Sequence, residues 1–132
     1  MITAIDSSVI IAIAKNEASA RAWVALLATL RASGSLAVSE AVWAETRPCF
    51  HSRSAQITAM ESLGMGFLPM TEAAAALAGE IHADYRRAGG SRQKILGDFL
   101  IGAHAFVQAN QLASADDGFF RVYFRSLKIT AI

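Results

Sequence analysis

The chain has 132 residues, of which 54% are hydrophobic and 17% charged, and its formal net charge is +1. That length suits one domain, 1–132, large enough to bury a core, and the composition excludes a disordered chain. The near-neutral balance excludes a strong overall field, so a polyanion would need a local patch; the apolar excess suggests surface hidden in self-association or against a partner.

The first short apolar run is ITAI (2–5), a predicted strand that stops at Asp6. No basic leader precedes it in MITAIDSSVIIAIAK, and Asp6 interrupts the apolar part, so the segment is a poor signal peptide. Ala18–Ser33 carries Trp23, Leu26, Leu27 and Leu30 at three-to-four spacing, the stripe of a helix facing a core. Lys15, Arg21 and Arg31 break up this hydrophobic third, which argues against a membrane span. SLAV (35–38) predicts a second strand ending at Ser39, where a helix begins that runs through SEAVWAETRP. Cys49 is the one cysteine; it excludes an internal disulfide and fits a reducing compartment, so a cytoplasmic protein is expected.

GFLP (66–69) predicts a third strand, leading to Thr71 as the cap of a helix over Thr71–Ala88 that stops at Gly89-Gly90. A helix over Asp98–Asn110 is apolar on one side through Ile101, Ala105 and Phe106. QLAS (111–114) and LKIT (127–130) complete the strands. Short strands alternating with helices predict an α/β fold: a short parallel sheet of about five strands with helices on both faces. In such sheets ligands bind beyond the carboxyl ends of the strands. Asp6 and Asp116 then open into one crevice if the first and fourth strands are neighbours.

Each carboxylate has a plain alternative. Asp6 suits a helix N-cap. Glu45 shares a helical face with Val42 and Cys49, whereas Glu40 reads as a solvated first-turn group; a surface glutamate near Arg47 or Arg53 is the other reading of Glu45. Asp98 heads the stripe Ile101, Gly102, Ala105, Phe106, so it faces the rim of the core and wants a cation. Asp116 and Asp117, followed by Gly118, also suit an acidic turn. Brought together, two such charges about 4 Å apart repel by roughly 4 kcal/mol at an effective dielectric of 20. A divalent ion removes that penalty, and an oxygen-only donor set suits Mg²⁺ or Mn²⁺ better than zinc.

Four motifs in order then carry a resemblance. IDSSVIIAI, SEAVWAE, ILGDFLIGAHA and LASADDGFFRVYF resemble the acidic motifs of PIN-domain ribonucleases, in particular VapC-like toxins of type II toxin–antitoxin systems. The likeness runs nearly end to end. It implies an endoribonuclease that hydrolyses RNA phosphodiesters with metal-activated water. Asp6, Asp98 and Asp116 would hold Mg²⁺ or Mn²⁺, Glu45 would position metal or water, and Ser114, in place of the usual Thr, would support them. Asp117 stands where relatives are often basic, and either adds metal affinity or repels RNA. The resemblance also implies a homodimer and a cognate antitoxin.

Arg86, Arg87, Arg92 and Lys94 surround two glycines just before Asp98, as a phosphate-contacting loop or a solvated helix end. Phe119, Phe120, Tyr123 and Phe124 suit packing better than base stacking, and His104 suits a hydrogen-bonded structural role. The rival reading is a phosphoryl-transfer domain or a non-catalytic interaction module. Receivers want an acidic pair after the first strand, and haloacid phosphatases want an Asp where Ser8 stands.

Overall fold

In the computed structural model, which describes residues 1–91 and 96–132, the first apolar run forms the central strand β1, Ile2–Ile5. Around it lie β2 (Ser35–Val38), β3 (Met65–Phe67), β4 (Gln111–Ala113) and β5 (Ile129–Thr130). All pairings are parallel, in the order β3-β2-β1-β4-β5. Seven α-helices connect them among the described residues: α1 (Ser7–Ala14), α2 (Ala20–Ser33), α3 (Glu40–Thr46), α4 (Arg53–Ser62), α5 (Glu72–Arg87), α6 (Leu96–Gln108) and α7 (Asp117–Tyr123). The expected α/β architecture is therefore the one the chain adopts. None of the described helices is long and apolar enough to cross a membrane.

The order of the strands fixes where a site can form. From β1 the chain moves outward to β2 and β3, then returns across the sheet to β4 and goes out the other way to β5. Right-handed crossovers then place α1–α4 on one face and α5–α7 on the other. The reversal lies between β1 and β4, the switch point at which the loops above the strands part. Thr3 pairs with Gln111 and Ile5 with Ala113. The buried Gln111 side chain donates to Thr3 Oγ1 at 2.9 Å, so a one-residue slip would strand two buried polar groups.

Burial explains why β1, β2 and β4 are apolar runs without alternation: both faces are covered. Helix starts follow local chemistry. Ser52 and Thr71 accept from the amides of Ala55 and Ala74 at 3.0 and 3.2 Å, as N-caps do. Inside α6, Gly102 is buried against Phe124, and a Cβ built there would sit 2.2 Å from the ring. Phe124 is itself 2% exposed and has nowhere to go. Gly102→Ala is therefore expected to destabilise the protein by about 1–3 kcal/mol despite alanine's better helix propensity, read from urea unfolding midpoints. An unchanged midpoint would show that the ring can shift.

His104, 2% exposed on α6, donates from Nε2 to the Leu68 carbonyl at 2.9 Å, in the structural role expected of it. Burial pushes its pKa below the ordinary 6.5, against the smaller pulls of that hydrogen bond and the Glu40 charge. Below pH 6.5 the unfolded chain takes up this proton before the native state does, so this contribution to stability falls with falling pH. His104→Asn should remove that part of the slope between neutral and mildly acidic pH. Parallel slopes in the two proteins would count against it.

Candidate active site

β1 ends by delivering Asp6 to the switch point, where its amide extends the ladder to the Ala113 carbonyl at 2.9 Å. Asp6 stands at the N-cap position of α1 but makes no side-chain cap bond. Its carboxylate turns to hydroxyls instead: Ser8 Oγ and Ser114 Oγ donate to Oδ2 at 2.6 and 2.8 Å. The residue is 5% exposed. Burial lifts its pKa above the usual aspartate range, with the two hydroxyls and the neighbouring amides of Ser7 and Ser8 offsetting part of the rise.

Glu45 reaches the same place from α3, whose start is set by Ser39 accepting from the Val42 amide. Ser7 Oγ donates to Glu45 Oε1 at 3.0 Å. Although the residue as a whole is exposed, burial of its carboxyl end raises its pKa. The Ser7 bond opposes that rise, and the charges of Asp98 and Asp6 add to it. Glu45 thus feels two of the other three expected carboxylates. Asp98 sits in the first turn of α6, partly buried. Gly97 beside it is close to Glu45: a Cβ there would lie 3.5 Å from the Glu45 carboxyl carbon, an ordinary contact distance, so the first turn of α6 lies against that carboxyl.

Asp116 is exposed and occupies the N-cap position of α7. Its amide donates to Ser114 Oγ at 2.9 Å, which ties its backbone to the hydroxyl that holds Asp6. Asp117 opens α7 and accepts from Arg121 Nε at 3.2 Å. It also lines a cleft with Ser19, Trp23 and Ile132. Arg86 and Arg87 are exposed in the last turn of α5, and Arg87 pairs with Asp84. Arg92 and Lys94 lie outside the described residues.

Among the described residues, no group of three or more His, Cys, Asp or Glu side chains is gathered as a ready metal cage. The donor chemistry nevertheless fits a hard divalent cation. Carboxylates are oxygen donors, and the charged forms of Asp6, disfavoured by burial, and of Glu45, disfavoured by burial and by the charges of Asp98 and Asp6, carry penalties that a cation relieves. Ser7, Ser8 and Gly97 were not recognised from sequence as parts of this site. Two hydroxyl residues directly after a strand-ending aspartate were the available signal.

The sheet order and its switch point define an α/β domain, with Asp6 and Glu45 held by serine hydroxyls beside that switch point. The PIN domain family profile matches residues 3–125, and the chain belongs to that family, whose nucleases are hydrolases acting on nucleic acids. No curated protein matches the chain by sequence. Among solved structures, the chain is similar to VapBC-1 from nontypeable Haemophilus influenzae, at 23% identity and a TM-score of 0.72, covering 99% of this chain and 98% of that one. It is also similar to VapBC2 from Rickettsia felis bound to a promoter DNA fragment, at 19% identity, TM-score 0.70 and coverage of 99% and 98%. FitAcB from Neisseria gonorrhoeae matches at 21% identity, TM-score 0.66 and coverage of 98% and 96%.

Proposed function

We propose that residues 1–132 form one PIN domain acting as a metal-dependent endoribonuclease toxin, held in check by a cognate antitoxin. The observation that carries this reading is Asp6: a carboxylate 5% exposed at the switch point, close enough to Glu45 to disfavour that group's charge, as Asp98 does too. Asp6, Asp98 and Asp116 would hold Mg²⁺ or Mn²⁺, with Glu45 beside them. The bound ion would neutralise the cluster, polarise a phosphoryl oxygen and acidify water. Ser114 keeps Asp6 oriented and Ser7 keeps Glu45 oriented. Arg86 and Arg87, exposed at the end of α5, are suited to phosphates of an RNA strand. Asp117 engages Arg121 and serves the start of α7 while adding negative charge near the site.

The likeness to VapBC and FitAcB chains supports an antitoxin partner. Exposed Phe106, Val107 and Val122 offer apolar surface to a second copy, in line with a homodimer working on cytoplasmic RNA. The test uses total cellular RNA. The wild type should cut it with Mn²⁺ and be silent in EDTA, and Asp98→Asn should be silent in both. Cutting that survives EDTA, or an Asp98→Asn protein as active as wild type, would exclude the metal-site assignment.

A further inference from the structure

One oxygen of Asp6 receives two hydroxyls, and each hydroxyl has a second task. Ser114 Oγ donates to Asp6 Oδ2 and accepts from the Asp116 amide at 2.9 Å. Ser8 Oγ donates to the same oxygen and accepts from the Ala115 amide at 3.0 Å. A hydroxyl has one proton and two lone pairs, so each serine can give and receive at once. Consecutive amides of the turn leaving β4 are thereby joined to a single carboxylate oxygen. The two serines are complementary: Ser114 bonds locally to the turn and at long range to Asp6, while Ser8 bonds locally to Asp6 and at long range to the turn.

We propose that Ser8 is a positioning residue that makes the Asp6 carboxylate and the β4–α7 turn, with Asp116 on it, one rigid unit. The proposal rests on the nuclease reading for its consequence and on the hydrogen bonds for its mechanism. The sheet ladder carries the pairing of β1 and β4 only as far as Asp6 and Ala113. Beyond it the chains diverge into α1 and α7, and the Ser8–Ala115 bond spans that gap. Two donors on Oδ2 also fix the rotation of the carboxylate. Asp6 and Asp116, if they hold the cation as proposed, would then be ligands already positioned, in the way that outer hydrogen bonds orient metal ligands elsewhere.

The experiment compares wild type, Ser8→Ala and Ser8→Thr in three measurements. Amide hydrogen exchange on the metal-free protein reads the latch itself, calorimetry reads Mn²⁺ uptake, and RNA cleavage is followed against Mn²⁺ concentration. In Ser8→Ala the Ala115 amide should exchange about tenfold faster while the Asp116 amide, still held by Ser114, changes little. Mn²⁺ affinity should weaken by about tenfold, with kcat at saturating Mn²⁺ nearly restored. Ser8→Thr, which keeps the hydroxyl, should return all three to wild-type behaviour. Unchanged Ala115 exchange in Ser8→Ala overturns the latch. Faster exchange with unchanged Mn²⁺ affinity overturns the positioning role. A wild type that takes up no Mn²⁺ sinks the nuclease reading instead, and the exchange comparison still decides whether Ser8 ties the turn.

Discussion

Asp6→Asn is expected to abolish Mn²⁺-dependent RNA cleavage and, at the same time, to make the metal-free protein more stable. The loss of activity follows from the proposed role of Asp6 as the most buried of the metal-holding carboxylates: about 3 kcal/mol of lost transition-state stabilisation is roughly a hundredfold in rate. The gain in stability follows from the sign of its pKa shift. Burial raises the Asp6 pKa above 3.8, so above that pH the unfolded carboxyl ionises first and the native state holds more protons. Stability then falls as pH rises from the unfolded toward the native pKa, and the cost is present at pH 7.5. Asparagine carries no charge and keeps an oxygen to accept from Ser8 and Ser114. The thermal midpoint of metal-free Asp6→Asn should exceed that of wild type at pH 7.5, and the difference should shrink toward pH 4. A variant that unfolds earlier than wild type at pH 7.5 would show that the ionised carboxylate is not under strain.

Phe99→Ala should cost the fold more than any single change at the site. Phe99 follows Asp98 directly and has no exposed surface. Its ring lies 5.1 Å from His82, 5.2 Å from Phe119, 5.3 Å from Tyr85 and 5.7 Å from Tyr123, centroid to centroid. These partners come from α5 and α7, so one side chain joins three helices around the base of the site. Truncation leaves a cavity at that junction and should remove about 3–5 kcal/mol, a large share of the roughly 5–15 kcal/mol that holds a domain of this size. Phe99→Leu, which keeps most of the volume, should cost about 1.5 kcal/mol or less. Urea unfolding of both variants gives the comparison. Equal small losses would mean that the aromatic cluster collapses to fill the space.

Much of this arrangement was legible in the residues. ITAI and SLAV are strands over the residues expected, and Thr71 caps its helix as expected, because apolar runs buried on both faces and cap residues leave local marks. The edges were less legible. GFLP was expected as a strand, but pairing covers Met65–Phe67, ahead of Pro69, which has no N–H to give a ladder. LKIT contributes only Ile129–Thr130, since Leu127 closes a turn onto the Phe124 carbonyl and packs inward. The acidic turn weighed as the plain alternative at Asp116-Asp117-Gly118 is the cap and start of a seven-residue helix. Asp-Gly signals a turn, and so short a helix offers too little periodicity to outweigh it.

At the site, strand ends and stripe positions pointed to Asp6, Glu45 and Asp98, and Glu45 feels the charges of the other two. What the sequence could not display was the network between them. Ser7 and Ser8 are adjacent and chemically identical, yet one bonds Glu45 and the other Asp6 and Ala115. That division depends on α1 beginning at Ser7, which sends neighbouring side chains in different directions.

The strand order also governs when the surroundings of Asp6 are completed during synthesis. The central strand is made first, but its partner on one side arrives only with Gln111–Ala113, and that strand in turn is bordered by Ile129–Thr130. A growing polypeptide still on the ribosome can assemble Asp6 with Glu45 long before Ser114 and Asp116 have emerged. Long-range parallel closure is slow by nature. Vectorial translation therefore delays the bond from Ser114 to Asp6, and the turn that carries Asp116, until nearly the entire chain is available.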